Sequence, residues 1–119
     1  MTGPLTLDGA GAAGTILDAA GLDRGLHVTA GGDLTLTDVT VRNGNSLVAG
    51  TTGGGVLNEG TLLLERVVLT DNFAGTLNTA GSQGGGLSNL GTAIVRRSAI
   101  INNAAGDDGG GIYDEGVSL

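Results

Sequence analysis

The sequence predicts an all-β fold, a parallel β-helix (solenoid) with three short strands per coil and about four coils. Three observations predict it. The unit Gly53-Gly54-Gly55-Val56-Leu57-Asn58-Glu59-Gly60-Thr61-Leu62-Leu63-Leu64 returns at Gly84 and begins again at Gly109, and intervals of about 25–31 residues are the period of a solenoid. Apolar and polar residues alternate in short runs, the period of a strand. The gaps between runs are short and glycine-rich, whereas a βαβ unit needs a crossover of about a dozen residues or more. Hairpins would not explain why like positions return only after a whole coil.

Composition agrees with thin, stacked layers. The chain has 119 residues, enough for one domain. Hydrophobic residues make up 39% but aromatics only 2%, so the core is aliphatic. There are 25 glycines without a Gly-X-Y period, which excludes collagen. The net charge is −7 and all five basic residues are arginines, so the chain lacks the footprint of a nucleic-acid or anionic-membrane binder. The absence of cysteine removes disulfides, thiolate catalysis and Cys-ligated zinc. Met1-Thr2-Gly3-Pro4 does not read as a signal peptide, and no run approaches the ~20 apolar residues of a membrane span.

In chain order, residues 1–24 form an opening coil, with strands at Leu5-Thr6-Leu7 and Thr15–Asp18. Repeat coils follow at 25–52, 53–83 and 84–108, and 109–119 is an incomplete last coil. The first strand of each coil surrounds Val28, Val56, Leu87 or Ile112. The second is Leu34–Leu36, Leu62–Leu64 or Ala93–Val95, and the third Val39–Val41, Val67–Leu69 or Ser98–Ile100. Stacking would place like positions about 4.8 Å apart. The expected inward columns are Val28/Val56/Leu87/Ile112, Leu34/Leu62/Ala93, Leu36/Leu64/Val95 and Val41/Leu69/Ile100. Each buried Val, Leu or Ile contributes about 1.5–3 kcal/mol.

Polar residues recur at the bends. Asn58, Asn89 and Asp114 align after the first strand; Asn72 aligns with Asn103 after the third, preceded by Asn43, Asp71 and Asn102. Asn and Asp tolerate unusual backbone angles and bond to nearby backbone groups, so these are expected to be bend-capping ladders. Glu65 should stack with Arg96, and Asp38 with Arg66, as register guides. Coil length varies at one connection, Asn45–Thr52, Phe73–Gln83 and Ala104–Asp108. There Leu47, Val48, Phe73 and Leu77 are expected to fold back over the outer surface. Leu63, Val68, Ile94 and Ile101 should point outward.

These features resemble the right-handed, single-stranded parallel β-helix proteins of the pectin-lyase-like superfamily. The likeness is to bacterial surface and secreted proteins with Gly-Gly-apolar-x-Asn-x-Gly-Thr-apolar-x-apolar repeats ending in Asn, and to the related repeats of chlamydial polymorphic outer-membrane proteins. It is carried by Gly54–Leu64 with Asn72 and by Gly85–Val95 with Asn103. The resemblance implies a right-handed coil and a secreted or cell-surface location. Such proteins have more coils than this chain, which looks like a fragment or a unit completed by a neighbour. The scaffold hosts lyases, hydrolases and adhesins alike.

Enzymes on this scaffold need clustered carboxylates. The candidates are Asp33, Asp38, Glu65, Asp71, Asp107, Asp108, Asp114 and Glu115, most of them at bends, with Tyr113 as the aromatic sugar platform. Asp107 and Asp108 are weak candidates for calcium, which takes hard oxygen ligands. His27 should face water as a lone histidine without a partner. The reading favoured by sequence is non-enzymatic: no catalytic residue and no cofactor, in an extracellular structural or adhesive module. Its partner would be a second copy stacked head to tail, through Leu5 and Leu7 at one end and Val117 and Leu119 at the other, or another surface protein. The alternative is a carbohydrate-active β-helix, either a lyase or hydrolase fragment or a glycan-binding module.

Overall fold

The computed structural model describes residues 3–46, 52–75 and 81–118. The strands run in chain order as β1 (Gly3–Asp8), β2 (Ile16–Asp18), β3 (Leu26–Val28), β4 (Gly32–Thr37), β5 (Thr40–Arg42), β6 (Asn45–Ser46), β7 (Val56–Asn58), β8 (Thr61–Glu65), β9 (Val68–Thr70), β10 (Phe73–Ala74), β11 (Leu87–Asn89), β12 (Thr92–Arg96), β13 (Ala99–Ile101), β14 (Ala104–Ala105), β15 (Ile112–Asp114) and β16 (Val117–Ser118). Every pairing among the described strands is parallel. Four sheets result, in the orders β1-β4-β8-β12-β16, β2-β5-β9-β13, β3-β7-β11-β15 and β6-β10-β14. The chain is a parallel β-solenoid.

Two features differ from the expectation. Each full coil has four strands: the variable connections begin as β6, β10 and β14, whose two-residue length leaves too little alternation to read. The complete coils number about three rather than four. They are β4–β7, β8–β11 and β12–β15, flanked by a shorter turn, β1–β3, and by β16. Leu47, Val48, Leu77 and Leu119 lie outside the described residues. Phe73 is in β10, opposite Asn45 and Ala104.

The interior is filled by aliphatic columns. Leu5, Leu34, Leu62 and Ala93 are register partners in successive strands, as are Leu7, Leu36, Leu64 and Val95. Leu17, Val41, Leu69 and Ile100 stack in the second sheet. Val39 and Val67 complete the buried cluster at the corner between these sheets. Leu63, Val68 and Ile94 are half-buried on the outside, and Ile101 is exposed.

The first column is corrected by two residues. Leu26, not Val28, pairs with Val56, Leu87 and Ile112; Val28 lies under Asn58, Asn89 and Asp114. The cause is the bend after β3, which is longer than its counterparts. There the Gly32 amide donates to the Thr29 carbonyl (2.8 Å), with Gly31 at φ 83°. In the next coil the Gly60 amide donates to Asn58 Oδ1 (3.1 Å). A bend that bonds to itself does not need the asparagine, and an apolar Val28 takes its place.

The triple glycines have separate roles. The first, Gly53, Gly84 or Gly109, has φ of 70°, 69° or 65°, a left-handed conformation costly for residues with a Cβ. The second is pressed against the fourth sheet: a Cβ on Gly54 would lie 2.2 Å from the Phe73 carbonyl oxygen. The third faces the bend asparagine, and a Cβ on Gly55 would lie 2.9 Å from the Asn72 amide.

Candidate functional site

The polar positions singled out by sequence form two internal ladders. Asn58 Nδ2 donates to Asn89 Oδ1 (2.7 Å), and Asn89 Nδ2 to Asp114 Oδ1 (2.9 Å). Both asparagines are fully buried. In the second ladder the Gly44 amide donates to Asn72 Oδ1 (2.8 Å), and Asn72 Nδ2 donates to Asn103 Oδ1 (3.0 Å) and the Val41 carbonyl (3.1 Å). Asn103 Nδ2 in turn reaches the Leu69 carbonyl (2.8 Å). Asn58, Asn72 and Asn103 also bond to backbone groups at these bends, and Asn89 links Asn58 to Asp114, which gives the ladders a structural role.

Outside these ladders the corners carry charge. Asn43, Asp71 and Asn102 have φ of 56°, 56° and 53°. A second left-handed column, Asp38, Arg66 and Arg97 at 55°, 52° and 48°, was not legible, because arginine has no local preference for that conformation. Arg66 grips Asp38 through Nε (2.8 Å) and Nη2 (3.0 Å), which holds the Asp38 carboxyl below its ordinary pKa. Arg96 is the strand partner of Glu65, yet the ion pairs of Glu65 are with Arg97 (2.8 Å) and Arg66 (3.3 Å). The left-handed turn carries Arg97 to Glu65 in place of Arg96.

The candidate catalytic carboxylates are largely engaged elsewhere. Glu115 accepts from the Tyr113 hydroxyl, whose pKa is raised by that bond, then by burial. Asp114 ends an asparagine ladder, and Asp107 Oδ2 accepts from the Gly81 amide (2.9 Å). Among the described residues no three carboxylate or histidine groups converge on a metal position, so Asp107 and Asp108 are not joined by a bend carboxylate. His27 is exposed, and its Nε2 donates to Glu59 Oε1 (2.5 Å).

One open groove runs along the corner between the second and fourth sheets, lined by Asp18, Asn43, Asn45, Asp71 and Phe73. Asp18 accepts from Asn43 Nδ2 (3.1 Å), the Ala20 amide (2.9 Å) and Arg42 Nε (3.0 Å). These bonds, Asn43 first, hold its pKa low.

The two ends of the solenoid differ from its middle. Leu5 and Leu7 are 44% and 36% exposed, whereas their partners Leu34 and Leu36 are buried. Two hollows open at this end, one lined by Leu7, Leu17, Leu36 and Val39, the other by Leu17 and Leu26. At the opposite end Ile112 is 44% exposed, and Val95 and Ile100 are half-buried. Val117 is in β16, paired to Thr92.

No protein-family model matches this chain, no curated protein matches it, and no solved structure matches it.

Proposed function

We propose that the chain is a non-enzymatic structural module of the cell exterior that works by stacking head to tail. The supporting observation is the pair of unlike apolar ends. Leu5, Leu7, Leu17 and Leu26 lie at one, Val95, Ile100 and Ile112 at the other. Open strand edges at each end add unpaired backbone donors and acceptors. Covering each large aliphatic residue contributes about 1.5–3 kcal/mol, against an association cost of roughly 4–15 kcal/mol. The two are comparable, so stacking is concentration-dependent. A contact between unlike ends repeats without closing and gives a filament. The exterior location rests on the likeness of the repeats to those of surface proteins.

Sedimentation velocity over a concentration series, with electron microscopy of the concentrated samples, tests this reading. Open-ended growth and thin filaments are expected. A strictly monomeric particle at the highest concentration contradicts it. The polar groove with Asp18, Asn45 and Asp71 favours one rival, a glycan-binding or glycan-cleaving module. A glycan array and a polysaccharide-cleavage screen separate the two; binding lost on Asp71→Ala, or cleavage lost on Asp107→Ala or Asp108→Ala, would replace the stacking reading.

A further inference from the structure

At the bend after β5, β9 and β13 a left-handed residue precedes a ladder position, giving Asn43-Gly44, Asp71-Asn72 and Asn102-Asn103. Two demands meet in the first of these. The left-handed turn at residue 43, φ 56°, favours Asn or Asp over other side chains. The next position has no room for a side chain, because a Cβ on Gly44 would lie 2.1 Å from the Gly54 carbonyl oxygen. Together they produce Asn-Gly, the sole such pair in the sequence. With no Cβ at the second residue, its backbone nitrogen is unshielded from the asparagine side chain. We propose that Asn43 is a site of spontaneous deamidation, and that Asn72 guards it while the corner between the first two complete coils stays closed. This inference is independent of the stacking reading.

In the reaction the Gly44 backbone nitrogen attacks Asn43 Cγ. The new N–Cγ bond closes a succinimide ring, the Cγ–Nδ2 bond breaks, and ammonia leaves with the Gly44 amide proton. Water then opens the ring at either carbonyl, giving aspartate or isoaspartate. The closed corner opposes the first step. The Gly44 amide is buried and donates to Asn72 Oδ1 (2.8 Å), so its proton is shielded from water and held by a weak base. The Gly44 carbonyl accepts from the Phe73 amide (2.8 Å). Asn43 is tied as well: its Nδ2 donates to Asp18 Oδ1 (3.1 Å), and its carbonyl accepts from the Gly21 amide (2.7 Å). Swinging the Gly44 nitrogen towards Cγ rotates the Asn43–Gly44 peptide and breaks its bonds to Asn72 and Gly21. Loss of Asn43 thus records an opening of this corner. The product puts a third carboxylate in the groove beside Asp18 and Asp71.

The full 119-residue chain, held at neutral pH either folded or unfolded in urea, is followed by peptide mapping and mass spectrometry. Hydroxylamine, which cleaves a succinimide, reports the intermediate as a cut between Asn43 and Gly44. The unfolded chain should lose Asn43 at least about tenfold faster than the folded one, since a buried hydrogen bond must first be broken. Asn72→Ala, with its fold checked by circular dichroism, should speed the loss in the folded state by about tenfold. The control is Val95→Ala in the first sheet, brought by added urea to the same global stability. Its corner keeps the bond to Gly44, so its Asn43 should be lost more slowly than in N72A.

Retention of Asn43 in the unfolded chain overturns the modification site. Equal loss in the folded and unfolded chains overturns the guard. Equal rates in N72A and the matched V95A overturn the assignment of the guard to Asn72. If N72A does not fold, hydrogen exchange of the Gly44 amide in the unaltered chain decides. Protection of that amide by about the factor that slows deamidation supports one shared opening, and a freely exchanging amide overturns it.

Discussion

Asn58 and Asn89 are wholly buried and bonded to each other, Nδ2 to Oδ1 at 2.7 Å, inside a corner of the solenoid. Two side chains that solvent would ordinarily claim thus hold successive coils in register. Asn89→Leu keeps the volume but leaves the Asn58 amide and the Asp114 carboxyl without that partner. Leaving a buried polar group unsatisfied costs about 1–3 kcal/mol, so a loss of about 2–4 kcal/mol is expected from urea denaturation. Asn103→Ala, at the half-buried end of the other ladder, should cost less.

Gly60→Ala should destabilise through backbone contact rather than lost flexibility. A Cβ there would lie 2.3 Å from the Gly32 carbonyl oxygen and 2.6 Å from that of Thr29. The layers must part locally, at about 1–3 kcal/mol. A shift of the thermal midpoint measures it, and a neutral result would mean that the coils are not in contact at this bend.

Ala20 is exposed at φ 55°, a conformation that costs an L-residue about 1–2 kcal/mol. Ala20→Gly relieves the strain at the expense of a more flexible unfolded chain. A net gain of about 0.5–1 kcal/mol is expected, read as a higher urea midpoint with unchanged slope.

Asp18 and Asp38 both have folded-state pKa values below the ordinary one, so each binds its proton more weakly folded than unfolded. Their stabilising effect is complete above the unfolded value of about 3.9 and is lost as pH falls through the folded values. Acid titration of stability should show this loss below about pH 4. Asp18→Asn with Asp38→Asn should flatten that part of the profile. Asp18 is exposed and Asp38 half-buried, so added salt should diminish the contribution of their arginine contacts, more at Asp18.

The parallel stack was legible because its strongest signals repeat. Leu34, Leu62 and Ala93 line up by simple spacing, and Asn58, Asn89 and Asp114 follow the same glycines. The first coil was harder to place, since its bend is longer and Asp23-Arg24-Gly25 stands where later coils carry three glycines. Arg24 fits because its guanidinium donates across to the next coil, to the Thr52 and Gly53 carbonyls (2.9 and 3.3 Å). The fourth sheet was hidden in strands two residues long. The pairing of Glu65 with Arg97 depends on a left-handed turn at an arginine, which no local preference announces. For function, the exposed leucines at the ends can be read in sequence only once the layers are known.

The register of the first complete coil tests the account most directly. Isotope-edited nuclear Overhauser measurements on the 119-residue chain should connect Leu26 to Val56, Val28 to Asn58, and Val56 to Leu87, all in the parallel pattern. Contacts linking Val28 to Val56, or an antiparallel pattern between any of these strands, would contradict it.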